Sequence, residues 1–233
     1  RFGADDVASA FDHFSSLAAE AIVVIAPVDS LAEAVASQGA SVPVVAVSGG
    51  RAFGRGVSVV HADQRGGARA LAEHLMSLGH RDIVCVAGPQ EWFEARERVA
   101  GWREAMDEAS LPKREPLVGS WEARWGYVAG QNLVEDGLPD AVMCANDEVA
   151  VGLLRAFAEA GVSVPGDVSV AGFDDVPMAA YAGPGLTTVR QDFADLGRCA
   201  LEAVSHALDG ESVDTYVRPT RLVVRGSTGV CAR

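Results

Sequence analysis

The sequence lacks the features of several common protein classes. Its longest apolar run, Ala21 to Val28, is far shorter than the roughly 20 residues a bilayer span needs. No basic segment followed by an apolar core opens the chain, so nothing reads as a secretory signal. Cysteine is scarce: Cys85, Cys144, Cys199 and Cys231 are scattered, and none has the CxxC or CxxH spacing of a zinc site or redox pair. Cys85 and Cys144 lie inside apolar runs and read as small buried hydrophobes in a reducing, cytoplasmic setting. Basic charge is also short. Nineteen Lys and Arg against 32 Asp and Glu leave −13, a surface that repels phosphates and anionic membranes. There is no GxSxG elbow and no HExxH. The glycines of SGGRAFGRG (48–56) fit neither phosphate-loop pattern, so they read as a flexible connection. These absences predict no metal, no cofactor and no catalytic constellation.

What remains is a globular composition: 49% hydrophobic and 22% charged over 233 residues, enough for one large or two small domains. Short β-branched runs alternate with helical patterns. Strands are expected at 21–26, 43–48, 56–63, 81–89, around Val118, at 140–147 and at 167–175. Extended segments at 215–219 and 221–227 close the chain. Helices are expected over 30–38, 64–78, 95–109, 124–136, 147–160 and 194–208, with Gly79, Gly137 and Gly161 as stops. Strands that are nearly all apolar, each followed by a helix, predict an α/β fold with parallel sheets covered on both faces.

In such sheets ligands bind beyond the carboxyl ends of the strands. Those ends carry Ser48, Asp63, Asn146, Asp147, Asp174 and Asp175. Asp147 reads as the helix N-cap, with Asn146 the residue freer to face a ligand. Of the adjacent Asp174 and Asp175, one is expected to meet a ligand and the other to shape the loop. Arg98 stands out among the arginines of its helix. The small Ala100 and Gly101 let its turn pack closely against the sheet, and a cleft arginine can fork onto hydroxyls or a carboxylate. Trp102 and Trp125 read as core, whereas Trp92 and Trp121 lie in loops, where aromatics mark binding faces. His13, His74 and His206 read as helix surface, and His61 as a pocket candidate. His80 follows a helix C-terminus, which favours an imidazolium.

The segments SLGHRDIVCVAGP, ARERVAGWREAM, DAVMCANDEVAVGLLRAFAEAGVSVPGDVSVAGFDD, PGLTTVRQDFADLGRCALEAV and VVRGST together resemble the lactose/galactose-repressor (LacI/GalR) family of bacterial transcription regulators. The matches run in family order from about residue 20 to residue 228. The resemblance implies a type I periplasmic-binding-protein-like fold: two doubly wound parallel-sheet subdomains, three crossovers and a ligand cleft between them. The boundaries it implies are 1–62 plus 193–218 for the N-terminal subdomain and 63–192 plus 219–233 for the C-terminal one. The implied effector contacts are Arg98, Trp121, Asn146, Asp174, Gln191 and Phe193, with Trp92 and Glu94 as variable loop positions. The family commonly has Asp where this chain has Ser48, which removes one acceptor.

The resemblance further implies a sugar or sugar-derivative effector, a homodimer, no membrane and no enzymatic activity. Operator DNA would be read by an amino-terminal helix-turn-helix that is not in this sequence. With a hinge helix and the first strand and helix of the core, that amounts to on the order of 100 residues; the alternative is that this subdomain is rearranged. A sugar-binding protein of a transport system shares the fold and is the alternative.

Overall fold

The computed structural model describes residues 4–37, 42–49, 53, 56–211 and 215–231. Most of the 48–56 glycine segment therefore lies outside the described residues. The chain divides into two compact units. The first comprises residues 1–63, 91–94 and 192–219, and the second 64–90, 95–191 and 220–233.

The first unit contains α1 (Ala4–Ser16), β1 (Ile22–Ile25), α2 (Asp29–Ser37), β2 (Val44–Val47) and β3 (Val57–Ala62). Helix α7 (Phe193–Leu208) and β9 (Thr215–Arg218) complete it. The strand order is β1-β2-β3-β9, all parallel, with Ile22 opposite Val44 and Val44 opposite Val57. Strand alternation sends successive residues to opposite faces. Val44 and Ala46 join Val7, Phe11 and Val35 beneath α1 and α2. Val45, Val60 and Ala62 pack against Leu196, Cys199, Ala200 and Ala203 of α7. This second layer does not extend to β1. Val23 is 48% and Ile25 71% exposed, although they lie level with Val45 and Val47. Coverage of both faces, expected from the apolar composition, thus fails at this edge strand. The sequence reading also omitted α1.

The second unit contains α3 (Gln64–Ser77), β4 (Ile83–Ala87), most of α4 (Phe93–Glu108), β5 (Leu117–Val118), α5 (Ala123–Asp136) and β6 (Ala141–Cys144). It continues with α6 (Asp147–Glu159), β7 (Ser169–Ala171), a 3-10 turn at Pro177–Ala180, β8 (Thr188–Arg190) and β10 (Arg221–Val223). The sheet order is β5-β4-β6-β7, again all parallel. In β4, β6 and β7 both faces are buried; on the edge strand β5, Val118 is 52% exposed. Ile83, Cys85 and Met143 face Leu71, Leu75, Trp102 and Met106. Val84, Val86, Val142 and Cys144 face Leu133, Val149, Leu153 and Phe157.

The three glycine stops hold: Gly79, Gly137 and Gly161 all have positive φ. Two expectations need correction. Gly101 does not bring α4 onto the sheet but onto α3: a Cβ there would lie 2.2 Å from the Arg65 carbonyl. The sheets are parallel as expected, but β8 and β10 form an antiparallel ribbon that the sequence reading did not separate. Beside it, the Gly172 and Asp174 amides donate to Thr187 and Val189 carbonyls at 2.9 and 2.8 Å. This pairing extends the backbone order from the end of β7 into the Asp174 turn.

Candidate functional site

The second unit carries a closed ring of polar side chains at the strand ends, buried at Arg98, Gln64 and Gln191 and partly exposed at Asp174. Arg98, 5% exposed on α4, donates through Nε to Gln64 Oε1 at 2.8 Å. Gln64 Nε2 donates to Gln191 Oε1 at 2.7 Å, and Gln191 Nε2 to Asp174 Oδ1 at 2.7 Å. Arg98 closes the ring by an ion pair to the same Asp174 oxygen at 3.1 Å. A further guanidinium nitrogen donates to the Ala145 carbonyl. The planar fork of arginine suits this simultaneous engagement, because its donors diverge in one plane. Its carbon Cζ lies 3.9 Å from the Phe173 ring centroid and 5.4 Å from that of Trp121. Aromatic faces stabilise a cation most where water is excluded.

The helices explain the placement. Gln64 is the first residue of α3 and Arg98 lies early in α4, so both side chains sit near the strand ends. Trp121 belongs to the 119–122 loop, and its carbonyl accepts from Asn146 Nδ2 at 3.1 Å. The other end of Asn146 accepts from Val149 N at 2.8 Å. Asn146 is therefore the N-cap of α6, a correction to the expectation that Asp147 would fill this role. Asn146 supports the Trp121 loop in addition.

Asp174 and Asp175 point to different partners, as adjacent side chains are expected to. Both have positive φ, 103° and 55°, and face different partners. Asp175 is enclosed by Arg190 at 2.5 Å and Arg225 at 2.7 Å. Burial alone would raise its pKa, but hydrogen bonds from the two guanidinium groups outweigh it and hold the carboxyl below its ordinary value. Asp175 shapes the loop. Asp174 is the more open of the two, and its Oδ1 serves the ring. The arrangement of a fixed carboxylate, two amides and a guanidinium beside an aromatic face matches the chemistry of hydroxyl recognition.

The remaining predicted contacts belong to the first unit. Ser48 is buried and its hydroxyl donates to the Ala26 carbonyl at 2.9 Å, so it serves its own sheet. Trp92 forms a β-bridge with Val28. Glu94 lies in the first turn of α4 against Gly49, where a Cβ would come within 3.2 Å of its carboxylate. Phe193 opens α7 and is 59% exposed. The candidate His61 has a local partner, its Nδ1 donating to the Ala62 carbonyl at 3.0 Å.

Gln64 was missed by the sequence reading. The signal was present: a polar residue opening a helix directly after the strand-end His61-Ala62-Asp63. Two histidines also differ. His80 is 2% exposed, and burial lowers its pKa, the opposite direction to the helix-end effect expected from the sequence. His74 is part-buried rather than on the surface, with Nε2 3.1 Å from Thr228 Oγ1. Among the described residues no group of three His, Cys, Asp or Glu is placed to hold a metal, and no helix is long and apolar enough to cross a membrane.

Comparison with known proteins agrees with this architecture. The periplasmic binding protein-like domain family matches residues 72–228. The lactose operon repressor of Escherichia coli K12 is 35% identical over 164 residues, covering 70% of this chain and 46% of that protein. The HTH-type transcriptional repressor PurR of Vibrio parahaemolyticus is also 35% identical over 164 residues, covering 69% and 49%. The chain thus spans about half the length of the curated relatives it matches. Among solved structures, a lac repressor dimer bound to operator and the anti-inducer ONPF superposes with TM-score 0.86 and 29% identity, covering 98% of this chain and 80% of that one. A transcriptional regulator CelR–cellobiose complex superposes with TM-score 0.84 and 30% identity, covering 95% and 70%. These relatives are transcription regulators, neither enzymes nor transport proteins. The chain belongs to the periplasmic binding protein-like domain family, and within it to the lactose-repressor (LacI) type.

Proposed function

We propose that this chain is the effector-binding and dimerisation portion of a cytoplasmic bacterial transcription regulator. Its effector is a small sugar or sugar derivative. Asp174, Gln191, Arg98 and Asn146 supply polar contacts, and Trp121 lies against a ring face. Ser48, Trp92, Glu94 and Phe193 stand as proposed effector contacts of the first unit. Operator DNA is bound through a helix-turn-helix outside this sequence. The acidity of this portion suits that division of labour. Regulation follows from linkage: an effector with unequal affinity for the DNA-bound and free forms shifts the balance between them. The observation that carries the reading is the Arg98–Gln64–Gln191–Asp174 ring, open to solvent only at Asp174, beside Trp121 in a chain of this family. It contains a carboxylate for hydroxyls but no second convergent carboxylate for hydrolysis.

A thermal-shift panel of monosaccharides, disaccharides, sugar phosphates, nucleosides and purines tests it, with Asp174→Ala as control. A ligand at 100 times its Kd stabilises by about 2.7 kcal/mol, a shift of about 5–10 °C for a domain of this size. The expected result is a hit that disappears in the variant. A hit that persists removes Asp174 from the site, and turnover of a panel sugar would make the protein an enzyme.

A further inference from the structure

Asp147 is 1% exposed, and among the described residues no Lys or Arg forms an ion pair with it. It is tied instead to the turn that carries Asp174. Its backbone N–H donates to the Phe173 carbonyl at 2.8 Å. Its Oδ2 accepts from Val176 N at 2.8 Å, and its Oδ1 accepts from Thr188 Oγ1 at 2.5 Å. These bonds bracket Asp174 and Asp175, two non-glycine residues with φ of 103° and 55°. Such conformations are costly and persist only where surrounding contacts enforce them. The carboxylate fits closely as well: a Cβ at Gly172 would lie 2.3 Å from Asp147 Oδ1. The Asp174 amide on Val189 and the two arginines on Asp175 hold the same turn from the β8 side, and Asp147 ties it to the start of α6.

We propose that Asp147 is a positioning residue of the Asp174 site, fixing the 173–176 turn so that Asp174 Oδ1 stays on Arg98 and Gln191. The meaning of this role for effector binding rests on the function proposed above, whereas the geometric claim needs no ligand. The charged and titratable groups facing Asp147 are Asp174, Asp175 and Cys144. Arg190 and Arg225 are engaged by Asp175, and Arg98 by Asp174. Burial, reinforced by the two aspartates and only partly offset by Thr188 and Val176, pushes Asp147 up to about 6.

Side-chain proton exchange measured by NMR on the wild-type chain, Asp147→Ala, Asp147→Asn and Thr188→Val decides the matter. In Asp147→Ala, the Gln191 amide and Arg98 guanidinium protons should exchange about tenfold faster, the scale of one lost hydrogen bond, with β4 amides unchanged. Asp147→Asn keeps one acceptor and should be intermediate. In the wild type the Gln191 side-chain shift should titrate with a midpoint of about 6, and this step should vanish in Asp147→Asn. If Val176 is released while Gln191 and Arg98 are unmoved, Asp147 serves only its own turn and the proposal fails. Should Asp147→Ala not fold, Asp147→Asn and Thr188→Val settle the question on the same protons. Cellobiose titration as the ligand probe separates the two claims. Absence of binding to wild type counts against that sugar as effector, while the proton results still decide the role of Asp147.

Discussion

The two sheets are built from the same sequence grammar but differ in completeness. In the second unit every residue of β4, β6 and β7 is buried. In the first, β1 exposes Val23 and Ile25, and β9 alternates between exposed and half-buried residues. The difference lies in coverage. Both faces of β4, β6 and β7 meet apolar layers and only the two-residue edge strand β5 is open, with Val118 52% exposed, whereas α7 covers β2 and β3 but not β1. An apolar strand is therefore not proof of a buried one: burial is decided by what crosses over it. The comparison also locates the polar ring. Hydrogen bonds gain most from a water-poor surrounding, and the ring sits on the more completely enclosed unit.

The largest expected break in this comparison comes from the enclosed unit's core. Trp102→Ala should cost about 3–5 kcal/mol in denaturant melts, because a fully buried indole leaves a large cavity. Ile25→Ala on the open strand should stay within about 0.5 kcal/mol. Equal costs would erase the distinction between the units. Arg98→Ala comes next, at about 3 kcal/mol, since it strips the donors from Gln64, the Ala145 carbonyl and Asp174 together. A cost below 1 kcal/mol would show that water already shares the ring.

Acidification should weaken the second unit through His80 and His74. Their folded pKa values are lowered, chiefly by burial, so the unfolded chain takes up protons first. Their stabilising contribution is present above about pH 6.5 and lost as pH falls through the depressed folded values. His80→Gln should flatten the stability slope below pH 6.5, and an unchanged slope would reject His80 as a cause. The smallest effect belongs to the surface. Arg155→Ala breaks an exposed i,i+4 pair with Glu159 and should cost no more than about 0.5 kcal/mol. A larger cost would mean that surface charge, not enclosure, separates the two units.

Most of the element order was legible because β-branched runs and glycine stops act locally. The divergence of Asp174 and Asp175 was also legible, since neighbouring side chains point apart. β8 was not: a three-residue strand gives no period, and its definition comes from pairing with β10 and the end of β7. The exchange of roles between Asn146 and Asp147 depends on where α6 begins by one residue, which composition does not fix. The lowered pKa of His80 and the burial of Gln64 both depend on parts of the chain distant in sequence: His80 is buried against the 229 segment, although its hydrogen bond to the Gly229 carbonyl opposes the shift, and Gln64 is held by Arg98 and Gln191. The open face of β1 likewise depends on the lateral reach of α7.

The placement of Trp121 has an optical consequence. Its indole lies 5.4 Å from the Arg98 guanidinium, while Trp102 is sealed in the core. A charge near an indole shifts its emission, and displacement of that charge or of nearby solvent changes colour and yield. The protein thus contains its own fluorophore at the ring. With Trp121→Phe as the blank, emission spectroscopy can follow events there in real time without a label.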